Sequence, residues 1–182
     1  LLSTNLALSL ADKGHRVLLV DADLGGANAH TVLGLRAPLV TLSVDSSTIA
    51  EDNGQARFTA TLSTVSGQDV TVTLGFSGTA TLNSDYTRSA DQIVIPAGQV
   101  SGFITVRSAN ELLDEADETV MVEIAGVING TESGTQSQTT TIVDDTPAPT
   151  VTLSVDNSTV AENGGQVRFT ATLSSISGQD VT

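Results

Sequence analysis

Thr41–Thr71 reads TLSVDSSTIAEDNGQARFTATLSTVSGQDVT, and it returns at Thr152–Thr182 as TLSVDNSTVAENGGQVRFTATLSSISGQDVT. The offset is 111 residues, and 24 of the 31 paired positions are identical. Self-similarity at a fixed period marks a repeat architecture, each copy being one structural unit. Both copies follow an Ala-Pro pair, Ala37-Pro38 and Ala148-Pro149, which reads as a joint. A unit of this length suits an immunoglobulin-like sandwich. The first copy is complete and the second holds about a third of a unit, so the chain reads as a fragment of a longer array. Three pieces are expected: residues 1–37, a full unit at 38–147 and a partial second unit at 148–182.

Inside the unit, short β-branched segments alternate apolar and polar residues between Gly, Asn, Asp and Ser clusters. Strands are expected at Val40–Val44, Gln55–Leu62, Val70–Phe76, Gln92–Ile95, Gly102–Arg107, Thr119–Ile124 and Gln138–Val143. In RFTATL, Phe58, Ala60 and Leu62 face one way and Arg57, Thr59 and Thr61 the other. Ser66-Gly67 and Pro96-Ala97-Gly98 mark turns. Helical spacing is confined to Glu111–Asp117. The expected fold is mainly β: an antiparallel sandwich of about seven strands, with a short N-terminal α/β fragment and a partial second β repeat.

Charge narrows the chemistry. The 182 residues carry 21 acids and 7 bases, a formal charge of −14. Residues 39–182 hold four arginines, no lysine and eighteen acids, so the whole excess lies past the first joint. A nucleic-acid partner is not expected, because phosphate contacts need a basic face. With no Cys there is no disulfide framework, thiol nucleophile or Cys-ligated metal. The longest aliphatic run is Val17–Val20, so no transmembrane segment is expected.

The acids of the first unit gather at strand ends: Glu51, Asp85 beside Tyr86, the run NELLDEADE at Asn110–Glu118, and Asp144-Asp145. Alternate strand ends of a sandwich share a pole, so these carboxylates are expected to converge. Arg57 and Arg107 fall within a strand or at its end. Packed like charges raise one another's pKa or push loops apart. A hard cation with oxygen ligands relieves that repulsion, and Ca²⁺ accepts a flexible set. A solvated acidic rim that blunts strand edges is the other reading of the same charges. Tyr86 reads as a core or corner aromatic, Gly78 and Gly98 as turn glycines, and Asp114 and Asp117 as residues that cap or solvate their loop.

Five segments in order carry a family likeness: VTLSVDSSTIAED, GTATLNSDYT, IPAGQVSGFITV, DEADETVMVEI and TTTIVDDT. Residues 40–146 resemble a Calx-beta domain, the calcium-binding sandwich of sodium/calcium exchangers, integrin β4 and many large bacterial surface proteins. The copy from Val151 resembles the start of another. The resemblance implies calcium ligands at Glu51, Asp85, Glu111, Glu115, Glu118, Asp144 and Asp145. Asn110 stands where many members have an acid and Thr146 where some have a third Asp, which implies fewer or weaker calcium sites. The implied role is a calcium-binding structural or adhesion repeat of an extracellular or cell-surface protein, not an enzyme. Its partners would be calcium, neighbouring repeats of the same chain and cell-surface or matrix ligands. A calcium-free spacer is the alternative. Glu162, the echo of Glu51, lacks such companions in its partial copy and is expected to bind nothing.

Residues 1–38 read differently. Ser3 and Thr4 precede LALSLA and a Lys13-Gly14 stop, the pattern of a helix, and Arg16–Asp21 reads as a buried parallel-type strand. Leu1 stands in place of Met and no basic segment precedes an apolar run, so no signal peptide is read here. STNLALSLADKGHRVLLVDADLGGANAHTVLGL is similar to the start of the MinD/ParA group of P-loop ATPases, especially the flagellar-number regulators. The likeness puts Ser3 or Thr4 on Mg²⁺ and makes Asp21 and Asp23 the acids. Leu1-Leu2 stand where that family has Gly-Lys, so the phosphate cradle is missing and no catalysis is expected.

Overall fold

In Gln55–Leu62, the four residues Ala56, Phe58, Ala60 and Leu62 are buried while their neighbours face outward, as the alternation requires. The computed structural model describes residues 37–182. The chain divides into two units, Leu1–Pro38 and Leu39–Thr182, and the second is the subject here. The helix and strand expected within residues 1–38, with Ser3, Thr4, Asp21 and Asp23, lie outside the described residues.

Ten strands build the first copy: β1 Leu39–Val44, β2 Thr48–Ala50, β3 Gln55–Leu62, β4 Val70–Gly78, β5 Tyr86–Arg88, β6 Gln92–Ile95, β7 Ser101–Ser108, β8 Glu118–Ile128, β9 Thr131–Glu132 and β10 Ser137–Val143. They form two five-stranded sheets, ordered β5-β7-β3-β1-β9 and β2-β10-β8-β4-β6. The mainly β sandwich expected from the sequence is what the chain adopts. All seven expected strands are present. The three additional ones, β2, β5 and β9, span only two or three residues, too few to show an alternating period. Glu111–Asp117 forms a loop, not a helix.

The chain changes sheets between β1 and β2. β1 pairs antiparallel with β3, whereas β2 pairs parallel with β10. Asp45 pins the crossing: its carboxylate accepts from the Arg57 amide at 2.7 Å, and its amide donates to the Arg57 carbonyl at 3.1 Å. The crossing delivers Glu51 to the end of β10. Between the sheets lie Val40, Phe58, Val70, Val72, Ile93, Ile95, Ile104, Val106, Val120 and Val122, each at most 1% exposed. Burying a Val, Ile or Phe side chain contributes about 1.5–3 kcal/mol. Tyr86 is buried too, as a corner aromatic should be. Gly78 and Gly98 take positive φ, the conformation a turn glycine allows.

The second copy repeats the register with the same offset. β11 Val151–Val155 pairs with β12 Phe169–Leu173, Val151 opposite Leu173 as Val40 lies opposite Leu62. Asp156 pins Arg168 as Asp45 pins Arg57. No strand forms at residues 159–161, because the partner of β2 is β10, which comes from the last part of a complete unit. Leu153 and Phe169, whose counterparts Leu42 and Phe58 are buried, are exposed here. Among the described residues no helix is long and apolar enough to cross a membrane.

Candidate metal centre

Four chain segments end at one pole of the sandwich, and each brings carboxylates. Glu51 follows β2, and its amide donates to the Val143 carbonyl at 3.0 Å, which holds it against the end of β10. Its side chain is only 7% exposed. One oxygen, Oε1, accepts from the Glu111 amide at 3.2 Å, while Oε2 is buried without a partner. An orphaned buried oxygen costs about 1–3 kcal/mol, more when charged, so it calls for a donor or a cation.

Asp85 closes the turn before β5. Its carboxylate accepts from the Thr81 amide, its amide donates to the Thr81 carbonyl, and its carbonyl accepts from Ala109 at 2.8 Å. Gly78 makes this turn possible. Its φ is +125°, and a Cβ there would lie 2.1 Å from the Thr119 carbonyl oxygen. Glu111 and Glu115 come from the loop between β7 and β8, and Glu118 opens β8. Asp144 follows β10, where its amide donates to Asp117 Oδ1 at 3.2 Å.

Glu51, Asp85, Glu111, Glu115, Glu118 and Asp144 line one open cleft, with Ala109, Ala116 and Ile142 as its apolar wall. Six of the seven carboxylates named from the sequence are thus brought together. Asp145 is not among the lining residues; its backbone acts on the Glu51 carboxylate from nearby, opposing the upward push of burial. Carboxylate oxygens of Asp85, Glu115 and Glu118 all lie within 4.8 Å of one another.

The carboxylates perturb one another. Burial, then a hydrogen bond that the protonated Glu118 donates to Asp85 and the charges of Asp85, Glu115 and Glu111, push Glu118 up to about 7. Burial and the neighbouring Glu115 push Glu111 to about 6, with Glu51 and Asp85 adding to it. Glu51 is also raised, first by burial and then by Asp144. No cationic side chain figures among these causes. Arg57 stacks on Phe103 and Arg88 on Phe76, each 4.0 Å from the ring centroid, and Arg107 donates to Asn53 at 2.8 Å. The donor set is oxygen only and anionic, which suits a hard divalent cation.

Three further acids matter to this pole, of which only Asp52 was not singled out from the sequence. Asp52 accepts from Asn110 at 2.8 Å, which, with Asn53, lowers its pKa; Asn110 therefore ties its loop to the β2–β3 turn. Asp117 caps the Asp144 amide, in keeping with its expected capping role. Asp114 departs from the expectation of a cap or solvated group: it is 8% exposed and contacts the second copy. Such partners are set by tertiary contact, and no local pattern announces them.

A family model described as the CobQ/CobB/MinD/ParA nucleotide binding domain matches residues 1–160. Within that span, residues 39–143 form the two-sheet sandwich described above. The antiactivator FleN of Pseudomonas aeruginosa is 67% identical over 33 residues, which are 18% of this chain and 12% of that protein. Among solved structures, the crystal structure of the apo-form Calx CBD1 domain is similar at TM-score 0.50 and 16% identity, covering 59% of this chain and 98% of that one. That of calcium binding domain CBD12 of CALX1.1 gives 0.52 and 16%, covering 63% and 49%. These likenesses concern the fold. The chain spans about an eighth of the curated relative and under half of the CBD12 structure.

Proposed function

By the model that spans residues 1–160 the chain belongs to the CobQ/CobB/MinD/ParA nucleotide-binding domain family, and from that premise we propose that its working part is nonetheless the sandwich, a calcium-binding structural repeat. The residues that resemble the nucleotide-binding family's own motif, Ser3 to Leu35, lie outside the described residues, so the reading rests on the pole of residues 39–146. One observation carries it: Asp85, Glu115 and Glu118 gather within 4.8 Å, with Glu118 pushed up to about 7 and, among the described residues, no base among the causes of that shift.

Ca²⁺ would be held by Asp85, Glu115 and Glu118, with Glu111, Glu51 and Asp144 completing an oxygen shell and Asp145 supporting Glu51 through its backbone. The residues fit the ion, since Ca²⁺ takes six to eight oxygens in flexible geometry. These carboxylates sit on four segments, so their convergence on one cation ties the loops together and stiffens the joint to the next repeat. The function is mechanical rather than catalytic, in an extracellular or cell-surface array whose contacts are neighbouring repeats and surface or matrix ligands. The likeness to CBD12 of CALX1.1, a calcium binding domain, supports this reading.

Ligand binding to the folded state alone raises stability by RT ln(1 + [Ca]/Kd), about 2.7 kcal/mol at 100 times Kd. Melting the full chain in millimolar Ca²⁺ and again with chelator tests the proposal. A higher melting temperature with Ca²⁺ is expected. Equal temperatures would leave a calcium-free spacer as the function of the same sandwich.

A further inference from the structure

The loop between β7 and β8 does more than present carboxylates, because the second copy touches it. Ser177 Oγ donates to Asp114 Oδ2 at 2.7 Å, and the Gly178 amide donates to the Asp114 carbonyl at 2.9 Å. Asp114 and Ser177 are aligned as an isolated parallel bridge. Gly178 packs so closely that a Cβ would lie 2.8 Å from Glu115 Oε1 and 3.3 Å from Leu113 Cδ2. We propose that the Asn110–Glu118 loop is the docking seat for the Ser-Gly-Gln-Asp turn of the adjoining repeat, and that the docked turn presses on Glu115.

The occupant is chemically apt. The turn is neutral where it meets the loop and offers two donors, a hydroxyl and an amide, to a buried carboxylate-bearing residue. The first copy holds the same turn at Ser66–Asp69, at the other end of its sandwich, where Ser66 accepts from Gly98 and Asp69 from Ala97. Each complete repeat therefore carries a seat at one pole and a plug at the other. Such a head-to-tail contact builds an open array. At Gly67 nothing among the described residues comes within 4 Å of a Cβ, so among them this plug has no seat and serves as an internal control. The two serines make the same local bond, Ser66 Oγ accepting from Gln68 and Ser177 Oγ from Gln179, each at 3.1 Å. What separates them is Asp114.

Docking and cation are coupled through Glu115, and this part rests on the calcium reading above; the docking itself does not. Coupling between two sites is reciprocal, so a turn that positions Glu115 also alters the affinity of the ion it binds.

The test uses the full chain. In chelator, amide exchange at Gly178 is expected to be protected, and Ser177→Ala to accelerate it about tenfold or more by leaving Asp114 without its charged hydrogen bond. Ser66→Ala should leave the Gly178 rate unchanged. Exchange at Gly178 as fast as at Gly67 in the unsubstituted chain would overturn the docking. Calcium titration then compares Gly178→Ala with Gly67→Ala: a several-fold weaker affinity for the first alone supports the coupling, and equal affinities overturn it. A chain that binds no Ca²⁺ yet protects Gly178 overturns the calcium reading and supports the seat.

Discussion

Replacing Glu118 by Gln should stabilise the cation-free protein, although it removes a charged residue from a polar cleft. The folded carboxyl titrates near 7 against an ordinary 4.5, so it holds its proton more tightly in the fold than in the unfolded chain. Its contribution to stability is then fully present below about pH 4.5 and is lost as pH rises towards 7. At about 1.36 kcal/mol per pH unit the ceiling is about 3.4 kcal/mol. Glu118 is only half-buried at the mouth of the cleft and shares its repulsion with Asp85, Glu115 and Glu111, so solvent screening reduces this to about 1–2 kcal/mol. Gln keeps the shape and cannot ionise. Thermal melts followed by circular dichroism in chelator, from pH 5 to pH 8, should show the parent falling with pH and the variant falling less, with a gap of roughly 5 °C at pH 8. Added Ca²⁺ should reverse the order, since the variant has lost a ligand. A variant less stable than the parent at pH 8 in chelator, or a parallel decline of both, would refute the claim that these carboxylates repel one another.

Because Glu118 and Glu111 must be deprotonated to ligate a cation, Ca²⁺ binding at pH 6 should release more protons than at pH 8; calorimetry in two buffers of different ionisation enthalpy measures the difference. Glu51→Ala with Asp144→Ala should reduce the calcium-dependent rise in melting temperature, whereas in a plain spacer the pair would be neutral or slightly stabilising. Gly78→Ala should destabilise the sandwich by about 3 kcal/mol or more in denaturant unfolding, because both its positive φ and the Thr119 carbonyl exclude a Cβ. Phe58→Ala, at a position 0% exposed, should cost about 3–5 kcal/mol, and Phe103→Ala, 53% exposed over Arg57, less than about 1.

Strands were legible where they were long enough to alternate. Gln55–Leu62 and Gln92–Ile95 have the bounds their patterns suggest, and Phe58, Ala60 and Leu62 share the buried face. The short β2, β5 and β9 owe their existence to partners far along the chain, such as β10 for β2, and a local window contains no trace of those. The same division holds at the pole. Strand-end acids could be named because turns and strand ends are locally encoded. Their consequences could not: Glu51 Oε2 is orphaned because the β1–β2 crossing and Val143 bury it, and Asp145 turns out to serve Glu51 through its backbone. Asp114 reads from the sequence as a residue that caps or solvates its loop; its burial depends on a turn 63 residues away.

The spread of the carboxylates along the chain has a consequence for the partial copy. Glu51 lies in the first third of the unit and Asp144 at its end, and they meet only after β8 and β10 have joined the second sheet. Loop closure over that distance is entropically costly and is repaid by sheet pairing, not by the carboxylates, whose mutual repulsion opposes it. The pole is therefore held together against its own charge by the core beneath it. Glu162 has the sequence of a ligand and the local hairpin of one, with Asp156 and Arg168 pinned as in the first copy. It lacks the acids that only the rest of a unit supplies. A cation should accordingly stabilise the complete copy and leave hydrogen exchange in β11 and β12 unchanged, except where Ser177 and Gly178 meet the loop of the first.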